Sequence, residues 1–102
     1  MRLFVFYDLP NTTKGENKEY TKFRRILIQN GFYMIQFSIY VKLCINYDQM
    51  LIYQKKIENF KPKKGDVRMI GITEKQYKDM KILVGSKTFQ EENQNIDFIL
   101  EL

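Results

Sequence analysis

Three observations predict an α+β fold, an antiparallel sheet carrying helices on one face. The first is the opening stretch, MRLFVFYDLP, whose two alternating sets are both mostly apolar: Leu3, Val5 and Tyr7 on one side, Phe4 and Phe6 with Asp8 on the other. Side chains alternate along an extended chain, so a strand apolar on both sides belongs in the middle of a sheet, covered on both faces. The second is a pair of helix starts, Thr13-x-x-Glu16 and Asn46-x-x-Gln49, each followed by apolar residues at helical spacing. The third is extended, aromatic and β-branched sequence over residues 31–44, between the two helices, and over residues 66–72, after them.

Taken in order, the first strand runs out at Asp8, and Pro10 cannot donate to a ladder. Gly15 weakens the first turn of the helix that follows, which places its start a few residues beyond Thr13. Tyr20, Phe23 and Leu27, with Ile26 beside them, form the apolar stripe, and Asn30-Gly31 supplies a left-handed stop. On the other side Lys14, Lys18, Lys22 and Arg25 recur at helical spacing as a basic stripe, with Arg24 next to it. Residues 31–44 exceed the usual strand of about five or six residues. They therefore read as two strands folding back near residues 36–38, although no Gly or Pro marks the turn.

In the second helix Met50, Tyr53, Ile57 and Phe60 form the apolar stripe, and Lys61-Pro62 ends it. A basic linker over residues 61–64 and Gly65 lead into the strand 66–72. Thr73-x-x-Gln76 then caps a single helical turn. Residues 81–84 read as a short extra strand ending at Gly85, residues 86–94 as a polar linker, and residues 97–102 as a last apolar patch. The order is the ferredoxin-like βαββαβ arrangement. Its domain spans residues 1–85, and residues 86–102 form a tail that docks on a partner or on the dimer mate.

Two helices cannot cover both faces of such a sheet, and a bare face carrying either Phe4 and Phe6 or Leu3 and Val5 would be a large apolar patch for a monomer. The expected solution is a two-fold homodimer, sheet on sheet, which brings two copies of Asp8 near one axis. The short strand at 81–84 would add to the edge of the partner's sheet.

At 102 residues the chain is one domain. It contains no histidine, which removes imidazole bases, imidazole metal ligands and Ser-His-Asp chemistry. Its one cysteine, Cys44, excludes an internal disulfide and fits a reducing, cytoplasmic setting; without a histidine to activate it, it reads as a small core or strand-edge residue. No apolar run is long enough to span a membrane, and the start does not resemble a signal peptide. The net charge is +5, with sixteen Lys/Arg against eight Asp/Glu over residues 1–85 and one Lys against four acids after them. A basic body with an acidic tail points to a polyanionic partner for the body.

Asp8 is the acid with an informative position, and position alone leaves it two roles. It can cap the turn after the strand by accepting from backbone N–H groups, or it can hold Mg²⁺ or Mn²⁺ against a phosphodiester. Gln36 and Ser38 can line the same cleft or serve as hairpin polar groups. The basic stripe can be a solvated helix face or a track for duplex phosphates. No zinc cluster, P-loop or dinucleotide glycine motif is present.

The stretches MRLFVFYDLP, KFRRIL, GFYMIQFSIYVKLC and GDVRMIGITEKQYKDMKILVG resemble the CRISPR-associated protein two family. The nearest likeness is to the branch that accompanies a single RNA-guided effector nuclease, and it extends from Met1 to Gly85. The resemblance implies a ferredoxin-like homodimer that works in spacer acquisition, bridging two dimers of the CRISPR integrase and holding duplex DNA. It also implies a metal-dependent endoribonuclease or phosphodiesterase activity on single-stranded RNA or on DNA, with Mg²⁺ or Mn²⁺ as cofactor. It places the metal-binding, catalytic acid on Asp8 and DNA-facing basic positions on or near Arg24 and Arg25. The alternative is a ribonuclease toxin of a toxin–antitoxin pair, which shares the fold.

Overall fold

The computed structural model describes residues 1–93. Among these, four strands and four helices follow in the order β1 (Arg2–Asp8), α1 (Lys14–Gln29), β2 (Tyr33–Gln36), β3 (Ile39–Leu43), α2 (Tyr47–Glu58), β4 (Asp66–Ile72), α3 (Glu74–Lys78) and α4 (Phe89–Asn93). The strands form one antiparallel sheet in the order β2-β3-β1-β4. β1 is central, as its two apolar faces predict, and the order is that of a ferredoxin-like fold.

The start signals work as read. Thr13 accepts from the Glu16 N–H at 3.1 Å while Glu16 Oε1 accepts from the Thr13 N–H, closing the first capping box. These bonds hold the Glu16 carboxyl below its usual range. They also outweigh Gly15, so α1 begins at Lys14 rather than a few residues later. Asn46 Oδ1 accepts from the Gln49 N–H to start α2, and Thr73 forms a second capping box with Gln76. Gly31 at φ +87° takes the left-handed position after α1. The fold-back between β2 and β3 turns on Phe37 and Ser38, and Ser38 itself adopts φ +62°. No glycine announces that turn because a serine occupies the left-handed position.

Two cores lie on the two sides of the sheet. On the helix side Leu3, Val5 and Tyr7 meet Phe23, Leu27, Met50 and Ile57 of α1 and α2, with Tyr40 and Cys44. Burial pushes the Cys44 thiol up, in keeping with a core residue. On the other side Phe4, Tyr33, Val41 and Tyr77 cluster, flanked by Ile35, Ile39 and Ile72. That face is less bare than two helices would leave it, because α3 folds over its Arg2 end. Arg2 is only 2% exposed. Its guanidinium donates to both Glu74 oxygens (2.9 and 3.2 Å) and to the Tyr33 hydroxyl (3.2 Å), and lies 4.3 Å from the centre of the Tyr77 ring. A buried cation thus has its charge matched and its donors directed to acceptors.

Three expectations change. Residues 81–84 form no strand, since neither free edge of the sheet takes them as a partner, and Leu83 and Val84 stand exposed. Among the described residues the extra C-terminal strand is therefore absent. The polar stretch after it contains α4, started by a reciprocal Thr88–Glu91 pair and linked to the sheet face by a hydrogen bond from the Tyr77 hydroxyl to Glu91. Phe60 does not join the apolar stripe of α2, because the helix stops at Glu58 and the chain turns before Phe60 can reach the core. The apolar patch expected at 97–102 lies outside the described residues.

At Gly71 the sheet leaves room for Met50 of α2: a Cβ there would stand 1.9 Å from the Met50 sulfur. Gly71→Ala is expected to cost about 1–3 kcal/mol through overpacking. Denaturation in urea should show the Gly71→Ala, Met50→Val double variant losing less than the two single variants together, because the shorter side chain vacates the contested space.

Candidate functional site

The end of β1 meets the start of β4 and the turn of the β2–β3 hairpin, and the site is built where they meet. The antiparallel register sets Asp8 directly opposite Asp66 and Phe6 opposite Arg68. Directly opposed residues project to the same side of a sheet. All four therefore lie on the side away from α1 and α2. The Tyr7 N–H donates to the Ser38 carbonyl at 3.1 Å, which brings the hairpin turn alongside. Gly65, at φ +95°, lets the chain before β4 pass against the strand end; a Cβ there would stand 2.6 Å from the Asp8 carbonyl oxygen. Together these elements form an open cleft of about 360 Å³ lined by Phe6, Asp8, Phe37, Ser38, Asp66 and Arg68.

Asp8, Asp66 and Arg68 are all exposed. Two carboxylates held opposite each other repel, and Arg68 forms no ion pair with either among the described residues. The cleft thus combines paired hard oxygen donors, a hydroxyl and an unengaged guanidinium, with Phe37 at its mouth 81% exposed. Such a donor set suits Mg²⁺ or Mn²⁺ rather than a soft metal. Among the described residues no group of three or more acids, cysteines or histidines gathers in one place, so one copy contributes two carboxylates at most here. Tyr7, the neighbour of Asp8 in sequence, faces the other way, and its ring packs on Phe23 and Tyr40 of the helix-side core. Burial, reinforced by Tyr40, pushes its hydroxyl well above the usual phenol range, so it is no base for the cleft.

Of the residues singled out in the sequence, Asp8 and Ser38 meet in the cleft, and Gln36 instead borders a separate groove beside residues 80–86. Lys14, Lys18, Lys22, Arg24 and Arg25 are exposed on α1, whose buried face carries Phe23 and Leu27. The basic helix and the acidic cleft therefore lie on opposite sides of the sheet. Asp66 and Arg68 escaped the sequence reading. The signal available was an antiparallel sheet with the last strand beside the first, since the start of one then adjoins the end of the other.

Residues 1–80, from β1 through α3, match the family described as CRISPR associated protein Cas2. The chain belongs to the Cas2 family. Among its relatives, the Ligilactobacillus salivarius protein named CRISPR-associated endoribonuclease Cas2 is 51% identical over 85% of this chain and 86% of its own length. A protein of the same name from Acidovorax ebreus is 41% identical over 93% of both chains. The crystal structure of Streptococcus pyogenes Cas2 superposes with a TM-score of 0.61 over 82% of this chain and all of its own, at 13% identity, which shows the shared fold. Among the described residues of this Cas2 chain no helix is long and apolar enough to cross a membrane.

The opposed acids carry an intrinsic strain. Asp66→Asn is expected to stabilise this Cas2 chain by about 0.2–1 kcal/mol in chelator and low salt. Chemical denaturation should show the gain shrinking as salt screens the pair.

Proposed function

We propose that this protein is a CRISPR adaptation subunit that acts as a homodimer, holds duplex DNA between integrase dimers, and cleaves phosphodiesters at a metal-dependent site centred on Asp8. The observation that carries the cleavage reading is the Asp8–Asp66 pair beside Arg68 and Ser38. Relatives at 41–51% identity bear the name endoribonuclease, and single-stranded RNA is the first substrate to test. Mg²⁺ or Mn²⁺, when bound, supplies Lewis-acid activation of a phosphodiester. Asp8 and Asp66 are the residues that would hold the ion. Arg68 is placed to take a phosphate oxygen by charge-assisted hydrogen bonds, and Phe37 to stack a neighbouring base.

The dimer reading rests on the same face. Beyond the part closed by α3, Phe6, Phe37 and Ile70 remain exposed there, and Ile82, Leu83 and Val84 have no partner strand among the described residues. A second copy packed sheet to sheet would cover the first group, and residues 81–84 would gain a ladder on its sheet edge. It would also bring a second pair of acids toward the first. The outward stripe of α1 stays open for DNA phosphates, and the tail at 86–102 is the docking element toward the dimer mate or the integrase. The Cas2 family match and the CRISPR-associated names of the relatives favour this reading over the toxin alternative.

Asp8→Asn should abolish Mg²⁺-dependent cleavage of labelled single-stranded RNA while sedimentation still shows a dimer. Cleavage persisting in that variant would place the chemistry elsewhere. Arg24→Glu with Arg25→Glu should leave cleavage intact and weaken retention of duplex DNA by the assembled complex. A salt titration should lose about 0.9 of slope for each phosphate contact removed.

A further inference from the structure

On the helix side of the sheet, across from the acidic cleft, the chain leaving α2 builds a second feature. Phe60 is 51% exposed, although its spacing marks it as the next member of the apolar stripe. It is held there by backbone geometry: its N–H donates to the Ile57 carbonyl at 3.0 Å, and the Lys61 N–H donates to Glu58 at 3.3 Å. The turn thus fixes an aromatic ring at the rim of a recess of about 160 Å³. Lys22 of α1 and Lys61 and Lys63 of the linker line that recess with it. Glu19 is the acid on its wall, and among the described residues it forms no ion pair with any of the three lysines. The negative end of α2 does not account for Lys61 and Lys63, because Lys55 and Lys56 already occupy its last turn.

We propose that this recess binds single-stranded nucleic acid, with Phe60 stacking an unpaired base and Lys22, Lys61 and Lys63 contacting the flanking phosphates. An aromatic platform among cationic side chains is the common device for holding a strand whose bases are free. Within a duplex the bases are stacked on one another, and only the terminal pairs have a face to offer Phe60. Lys22 also belongs to the basic stripe of α1, so a strand leaving a duplex on that helix would reach the recess without crossing the sheet. The inference is independent of the Asp8 chemistry, since it uses the other side of the molecule and needs no metal.

The test is fluorescence anisotropy of the full chain with labelled oligothymidylate, oligouridylate and a blunt duplex, all in chelator. Phe60→Ala is expected to weaken oligothymidylate and oligouridylate binding about tenfold and to leave the duplex unchanged, while Phe60→Tyr retains both. Lys61→Gln with Lys63→Gln should lower the salt slope for the single strands by about 1.4, or 0.7 per phosphate contact. Reading the binding in chelator takes the metal-dependent cleavage at Asp8 out of the measurement, which separates this site from the cleavage reading. Unchanged single-strand binding in Phe60→Ala, or equal loss for single strands and duplex, would overturn the proposal.

Discussion

β1 exchanges ladder hydrogen bonds with β3 along one edge and β4 along the other, and that double pairing decides where every other element lies. A strand bonded on both edges has no backbone group left for a partner, so it can be buried on both faces without orphaned donors. Its alternating side chains then seed two cores. Leu3, Val5 and Tyr7 draw α1 and α2 to one side, while Phe4 anchors Tyr33, Val41 and Tyr77 on the other. The helices follow the strand because their apolar stripes have one continuous surface to cover.

The second face divides along its length. At the Arg2 end, α3 closes over the sheet and a buried guanidinium is shared among Glu74, Tyr33 and Tyr77. An ion pair in that position specifies one docking of α3, because sliding the turn would strand a cation away from water. At the Asp8 end no element among the described residues closes over the strand, and the acids and Arg68 are exposed. One strand therefore carries a sealed polar contact at its start and an open, charged one at its finish.

Most of the fold was legible because its signals are local. Capping boxes at Thr13 and Thr73, the alternation of the first strand and the bounds of the 66–72 strand all depend on neighbours within a few residues. What escaped depends on distant chain. Asp66 gains meaning only from the register that sets it against Asp8. Phe60 follows the spacing of its helix yet lies beyond where that helix ends. Residues 81–84 have the composition of a strand, but composition does not supply the edge they would bond to. The position of the hairpin turn was indistinct because Ser38 accepts a left-handed backbone more often reserved for Gly or Asn.

The carboxylate of Asp8 is wet, but its Cα is not loose. Its residue is paired to β4, the residue before it is bonded to the hairpin turn, and Gly65 lies against its carbonyl. Conformational freedom at this acid is surrendered when the sheet assembles, before anything enters the cleft. The entropy of arranging this backbone is thus met by folding, and would not fall on a ligand that binds in the cleft.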